Sequence, residues 1–314
     1  MLSRVAESIY WMARHVERAE NTARLVNVNI NLMLDLPRKA RPGWEVLIEI
    51  MGSEQLFGEL YKRSDERSVI KFLLTDMRNP GSMLASLRQA RENARTIRDI
   101  IPREAWEQLN GLYHEARDNQ NSGLSQKGRY QYLRSVILGA QTVTGILAGT
   151  MTQDHGYGFL RMGRNLERAD MTARLVATGG RPGSGAPWSV VLSSCGAQQA
   201  FMRSQRGLHS DDRAAAFLVL DREFPRSVFY AMTKAEQHLA TLDPHADRIG
   251  VSDEARRQLG RVRTSLEFRA TSEVLAELPE QMLRVQQSVN GAAQAVASRY
   301  FQAGPLPTWT EELV

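Results

Sequence analysis

Residues 12–26, MARHVERAENTARLV, and residues 162–176, MGRNLERADMTARLV, are identical at ten of fifteen positions at an offset of 150. That offset is nearly half of a 314-residue chain, which predicts two copies of one unit, each built around this segment. The shared residues are largely polar: Arg14, Glu17, Arg18, Thr22 and Arg24 against Arg164, Glu167, Arg168, Thr172 and Arg174, with Glu20 and Asp170 as a conservative match. A helix kept only for packing would keep its apolar stripe and let its charges drift. Charges retained in both copies are expected to meet something specific.

The apolar pattern around the motif is helical. Val5, Ile9, Met12, Val16, Ala19, Ala23, Val26, Ile30 and Met33 recur at spacings of four and three, a seam that predicts a long bundle helix. Pro37, Pro42 and Gly43 end it. In the second copy Phe159, Met162, Leu166, Ala169, Ala173 and Val176 hold the same register. Small Ala19, Ala23, Ala169 and Ala173 in mid-seam would let the two motif helices cross closely, about a pseudo-twofold axis. Two further blocks match in the same order: WEVLIEIMGSEQLF at 44–57 with WSVVLSSCGAQQAF at 188–201, and FLLTDMRNPGS at 72–82 with FLVLDREFPRS at 217–227. In the latter, Pro80 and Pro225 are expected near the first position of the next helix. Period-two segments are missing from the sequence. The fold class expected is all-α: a helical bundle of two pseudo-symmetric repeats, about 1–150 and 151–303, around paired central motif helices, forming one domain. Loops are expected at 37–43, 118–127, 178–187 and around 243–252, with an irregular tail over 304–314.

Composition limits the function classes. No run of about eighteen apolar residues exists to cross a membrane, and the charged N-terminal segment does not read as a signal peptide. Cys195 is alone, which excludes an intramolecular disulfide and a cysteine zinc cage and fits a reducing cytoplasm. A net charge of +5 is mild and evenly spread, and aromatics at 7% are not interleaved with basic positions, so nucleic acid is not the expected partner. Homo-oligomerisation stays open.

The charged residues of the motif admit three readings. Glu20–Arg24 and Asp170–Arg174 are spaced i,i+4 with the acid first, and Arg14–Glu17 and Arg164–Glu167 are spaced i,i+3. Exposed pairs of this kind give only about 0.2–0.5 kcal/mol each, too little to account for their recurrence. Near a bundle centre, losing one partner strands a charge at roughly 3–5 kcal/mol. The first reading is therefore a buried ion-pair network that fixes how the halves dock. The second is a polar ligand pocket on the axis. The third, a dimetal site on Glu17, Glu20, Glu167 and Asp170, is disfavoured: Glu-x-x-His is missing and six arginines outnumber the four acids.

A second feature is the run Arg88, Arg91, Arg95 and Arg98, whose spacings of three, four and three place them on one helix face. It could receive an acidic partner, with a plain solvated face as the bland alternative. KAEQHLATL at 234–242 lacks the stripe in the second half. The six His residues have no ligand spacing, and His155, in register with Val5, is expected to be a core histidine. Cys195 reads as a small buried residue. With no Gly-x-Ser-x-Gly, P-loop or dinucleotide fingerprint, no catalytic residue, metal or cofactor is assigned.

The paired ERAE and ERAD helices, the segment NPGSMLASLRQARENAR and the segment LDREFPRSVFY together resemble the bacterial alpha-E family, from residue 1 to about 302. This all-helical family of unknown function is named for its Glu-Arg motif, here Glu17-Arg18 and Glu167-Arg168. Its members are typically encoded with, or fused to, circularly permuted ATP-grasp proteins and transglutaminase-like cysteine peptidases. The resemblance implies a non-catalytic helical partner, or a substrate-presenting component, of an amide-bond-forming system. An ATP-grasp protein is the implied partner and a transglutaminase-like peptidase the second candidate. The alternative is an enzyme using the paired carboxylates for acid–base or metal chemistry.

Overall fold

A computed structural model describes residues 3–37, 41–179, 187–204, 210–242 and 250–301. The tail expected at 304–314, and most of the loops expected at 178–187 and 243–252, lie outside the described residues. Among the described residues the chain is all-helical, with no strand. Eight helices lead to residue 150: α1 (Ser3–Asp35), α2 (Glu45–Met51), α3 (Glu54–Leu60), α4 (Glu66–Leu74), α5 (Met83–Thr96), α6 (Arg103–Asp118), α7 (Gln120–Leu124) and α8 (Gln126–Thr150). Eight more follow: α9 (His155–Gly179), α10 (Trp188–Ser194), α11 (Gln198–Ser204), α12 (Asp211–Leu220), α13 (Val228–Leu242), α14 (Glu254–Phe268), α15 (Thr271–Ala276) and α16 (Leu278–Val296), which ends in a π-helical turn over Ala297–Phe301.

Local chemistry sets several of the ends. Asp65 and Ser210 cap α4 and α12 by accepting from the backbone N–H of Ser68 and Arg213. Ser82 and Ser227 do the same for α5 and α13, accepting from Ala85 and Tyr230. The serines, not Pro80 and Pro225, therefore mark these helix starts: each proline sits two residues before its cap. Gly52 and Gly196 adopt left-handed backbone, φ 61° and 64°, where α2 and α10 stop. In both, the next N–H reaches back to a carbonyl five residues earlier, the bond that closes a helix with a glycine. The loop expected at 118–127 instead contains α7. Buried Arg129 holds it there, donating to the carbonyls of Gly123 and Leu124 and pairing with Glu66.

Packing centres on α1 and α9, which lie against each other. α1 also packs on α5 and α8, and α9 on α13 and α16. The short helices cross over: α2 packs on α9, and α10 on α1. The seam residues Ile9, Met12, Val16, Ala19, Ala23 and Val26, with Met162, Leu166, Ala169, Ala173 and Val176, are buried in one apolar cluster. A larger side chain of this kind contributes roughly 1.5–3 kcal/mol when fully buried. At Gly163 the helices touch closely, since a Cβ there would lie 2.5 Å from the Tyr10 carbonyl. Only glycine fits that position. His155, expected in the seam, is instead exposed as the first residue of α9. Val5, its counterpart in register near the start of α1, is likewise only partly buried.

Candidate functional site

The two Glu-Arg dipeptides face each other across the contact between α1 and α9 and exchange partners. Arg18 donates from Nε to Glu167 Oε1 at 2.6 Å and from Nη2 to Oε2 at 2.9 Å. In return Arg168 Nε lies 3.0 Å from Glu17 Oε1. Arg14 adds a bond from Nε to Glu167 Oε2 at 2.9 Å, while its Nη1 donates to the Tyr10 hydroxyl at 3.1 Å and its guanidinium lies over Trp11. Glu17 and Glu167 are both buried, and Glu167 accepts its hydrogen bonds from arginines of the opposite helix.

This overturns the expectation that Arg14 pairs with Glu17 and Arg164 with Glu167 at i,i+3. No such ion pair forms among the described residues. The helix crossing brings Glu167 within reach of both Arg14 and Arg18, and a desolvated two-point contact outcompetes an i,i+3 pair on one helix. Arg164 instead is half-buried, with its Nε enclosed and unpartnered. Burial and the neighbouring Arg168 charge lower its pKa to about 10. The i,i+4 pairs are present: Arg24 reaches Glu20 at 2.6 Å and Arg174 reaches Asp170 at 2.9 Å. Each of these arginines also rests on a glycine loop from the opposite half of the chain. A Cβ on Gly52 would stand 2.4 Å from Arg174 Nη1, and one on Gly196 would stand 3.5 Å from Arg24 Cζ.

Arg226 was not among the residues expected at this site. It lies in the turn before α13, comes within 2.8 Å of Glu17 Oε1 and 2.7 Å of Glu20 Oε1, and donates to Asn21 Oδ1 at 2.6 Å. The contacts to Glu17 Oε1 from Arg168 and Arg226 are close ion pairs that are not aligned as hydrogen bonds. Glu20 also accepts from Gln141 at 3.2 Å.

The electrostatics follow from these contacts. Burial alone would raise the pKa of Glu167, but the charges of Arg18 and Arg14 bring it down to about 2. Glu17 is likewise lowered: burial pushes up, and Arg168 and Arg226 pull down harder. His15, stacked on Trp11, is pushed down to about 4 by burial and by Arg18. Burial raises the Cys195 thiol to about 12, in keeping with a small buried residue. No cluster of three or more His, Cys, Asp or Glu suited to a metal occurs among the described residues. No helix among them is long and apolar enough to cross a membrane.

The arginine run on α5 is less uniform than its spacing predicts. Arg88 and Arg95 are exposed on the helix, and Arg95 shares Glu92 with Arg91. Arg98 lies beyond the end of α5 in the following turn, 3.8 Å from Asp99. Arg91 does not belong to an open face. Its Nε donates to Asn110 Oδ1 at 2.7 Å and its guanidinium sits against Trp106 and Tyr113 of α6. The reason is that α6 packs along this side of α5, and a planar cation stacks well on aromatic rings.

Fold and site define an all-helical protein in which two Glu-Arg dipeptides, on helices packed against each other, exchange ion pairs. The chain belongs to the Alpha-E family, described as a predicted alpha-helical domain with a conserved ER motif, which matches residues 1–301. It is also similar to uncharacterized proteins of Mycobacterium bovis and of two Mycobacterium tuberculosis strains, each 24% identical over 263 residues, covering 76% of this chain. The match takes in only 30% of each of those proteins, so the chain spans under a third of the length of these relatives. No solved structure matches it.

Proposed function

We propose that the protein is a non-catalytic helical partner, built from two repeats around paired central motif helices, that docks an ATP-grasp ligase or presents its substrate in an amide-bond-forming system. The observation that carries the non-catalytic part is the state of Glu167. A general acid or base works best with a pKa near the operating pH, whereas two guanidiniums hold this carboxylate at about 2. Glu17 is shifted in the same direction by Arg168 and Arg226. Carboxylates committed in this way serve architecture better than proton transfer. The repeat reading is supported by the matched order of helices, the equivalent serine caps, the paired left-handed glycines and the reciprocal Glu-Arg exchange.

The partner reading draws on two things. In the mycobacterial relatives the matching segment stands within a much longer chain, so this kind of unit works beside other polypeptide. Resemblance to the family names a circularly permuted ATP-grasp protein, and secondarily a transglutaminase-like peptidase, as that company. The contact surface we assign is the exposed part of α5, Arg88 and Arg95, with Arg98 just beyond it. Association of the full chain with a circularly permuted ATP-grasp protein of the same organism, measured at low and moderate salt, tests this. Salt-sensitive binding is expected, because exposed arginines facing an acidic surface act at long range. No association at low salt, or turnover by the isolated chain that Glu17→Gln abolishes, would overturn it in favour of an enzyme.

A further inference from the structure

The surroundings of the two Glu-Arg pairs differ in the turn that leads into α5 or α13. On one side Arg226 enters from the turn before α13 and touches Glu17, Glu20 and Asn21. The blocks FLLTDMRNPGS and FLVLDREFPRS align residue for residue, and the counterpart of Arg226 in the turn before α5 is Gly81. Where a side chain would enter from Gly81 there is a cleft of about 130 Å³ between that turn and the motif helices. Asp170, the counterpart of Glu20, lines it. Glu20 accepts from Arg24, Arg226 and Gln141, whereas Asp170 has Arg174 alone, and its buried Oδ1 has no partner.

Two further polar atoms of the cleft are unsatisfied. Thr22 is fully buried and Asn21 is 4% exposed, and neither Thr22 Oγ1 nor Asn21 Nδ2 has a hydrogen-bond partner. On the other side Thr172 Oγ1, the counterpart of Thr22, donates to the Arg226 carbonyl at 2.8 Å. A buried polar atom left unpaired destabilises the fold, because it has given up water without gaining a partner. Three such atoms gather around one opening, and the chain itself supplies no partner for them.

We propose that this cleft is a receptor for an arginine, free or carried on a partner polypeptide, whose guanidinium takes the place that Arg226 fills on the other side. Asp170 Oδ1 is the open acceptor, beside the Glu167 carboxylate, and a guanidinium presents the planar donor set that carboxylates bind best. The charge balance permits it. Arg14, Arg18 and Arg174 stand here against Glu167 and Asp170, whereas the other side already holds Arg24, Arg164, Arg168 and Arg226 against Glu17 and Glu20. A fourth cation reproduces a state that the fold accommodates. Asn21 adds a further requirement. Its amide oxygen is held by Arg226, so its NH2 is the end left over, and it asks for an acceptor. Arginine brings a carbonyl or carboxylate oxygen together with its guanidinium; a bare guanidinium does not. The site is separate from the arginine face of α5 and does not depend on an ATP-grasp partner.

Titration calorimetry of the full chain with L-arginine, N-acetyl-arginine amide, agmatine and N-acetyl-lysine amide tests the proposal. Saturable binding of an arginine probe is expected, with the lysine probe at least tenfold weaker and agmatine intermediate. Tighter binding of free arginine identifies a small-molecule site, and tighter binding of the capped amide a polypeptide partner. Gly81→Arg is expected to abolish binding with helix content and melting retained, because the new side chain occupies the cleft itself. A Cβ at Gly81 meets only Asn79 Oδ1, at 3.3 Å, so the turn has room for it. Asp170→Asn is expected to weaken binding at least tenfold, and it decides the matter should Gly81→Arg not fold. The proposal is overturned if no guanidinium probe binds saturably, if both variants bind as the natural chain does, or if acetate or phosphate binds in preference to arginine.

Discussion

Arg18 grips Glu167 through two hydrogen bonds, 2.6 and 2.9 Å, although 149 positions separate the two residues in the chain. A forked contact of this kind is directional as well as strong, so it fixes the rotation and register of α9 against α1. The reverse pair, Glu17 with Arg168, fixes the same two helices a second time. An apolar seam alone would tolerate sliding by a turn. Two ion pairs in opposite senses would not.

Glu167→Gln keeps the shape of the side chain and removes the charge that Arg14 and Arg18 share. We expect a loss of roughly 3–5 kcal/mol, the usual cost of stranding a buried charge, and a smaller loss for Glu17→Gln, whose contacts are less well aligned. Urea unfolding of both variants checks this. A pair of unaltered curves would show that the exchange does not hold the helices together.

The same group sets an acid limit on stability. Its pKa falls from 4.5 in an unfolded chain to about 2 in the folded one, so its contribution is complete above pH 4.5 and disappears as pH drops toward 2. That shift corresponds to about 3 kcal/mol. An earlier limb comes from histidines. Burial, helped by Arg18 and Arg14 around His15 and by Arg161, Lys234 and Arg164 around His238, lowers both from 6.5 to about 4, with Glu167 opposing at His15. A depressed histidine destabilises the fold as pH falls from 6.5 toward 4, because only the unfolded chain takes up the proton. Unfolding free energies across pH 2–8 are expected to show both limbs. His15→Gln with His238→Gln should flatten the upper one and leave the lower.

Much of this was legible in the sequence, and the exceptions have physical causes. The seam residues and the matched blocks pointed to an all-helical chain and to the ten motif residues, because period and offset are local properties. Which carboxylate each arginine chooses was not, since Arg14 and Arg18 select Glu167 only once the crossing of α1 and α9 is set. Arg226 escaped notice for a related reason: it lies in a turn, remote from the motif in sequence. The signal was present, however, as an arginine aligned with Gly81 in otherwise similar Asp-x-x-x-Pro-x-Ser turns. His155 kept the register of the seam but is the first residue of α9, where its side chain is exposed.

Neither half is expected to fold alone. α1 buries its seam against α9, and the short helices α2 and α10 each pack on the motif helix of the other half. Residues 1–150 expressed alone should be molten or aggregated, or should pair with a second copy that supplies the missing helix. A monomeric half with cooperative melting and dispersed amide signals in NMR spectra would contradict this.

The two left-handed glycines should respond unequally to alanine. Both substitutions introduce backbone strain, on the order of 1 kcal/mol. At Gly52 the added Cβ also displaces Arg174 Nη1, 2.4 Å away, and disturbs the pair with Asp170. At Gly196 the nearest atom of Arg24 is 3.5 Å away, an ordinary contact. Gly52→Ala is therefore expected to lower the melting temperature more than Gly196→Ala, and equal losses would mean that the loop gives way without moving Arg174.

The arginines of α5 should separate into a structural residue and a docking pair. Arg91 bonds Asn110 and stacks on Trp106 and Tyr113, so Arg91→Ala loosens α5 from α6 and is expected to cost about 1–2 kcal/mol. Arg88 and Arg95 are exposed, and exposed charges contribute at most about 1 kcal/mol to folding. Arg88→Glu with Arg95→Glu should leave the melting curve nearly in place while weakening association with an ATP-grasp partner at least tenfold, or about 1.4 kcal/mol. The loss should shrink as salt rises, since the variant reverses two charges that act through solvent. Affinity at two salt concentrations, with circular dichroism as the folding control, distinguishes the cases. Binding that survives the double reversal but fails in Arg91→Ala would move the contact from α5 to the surface of α6.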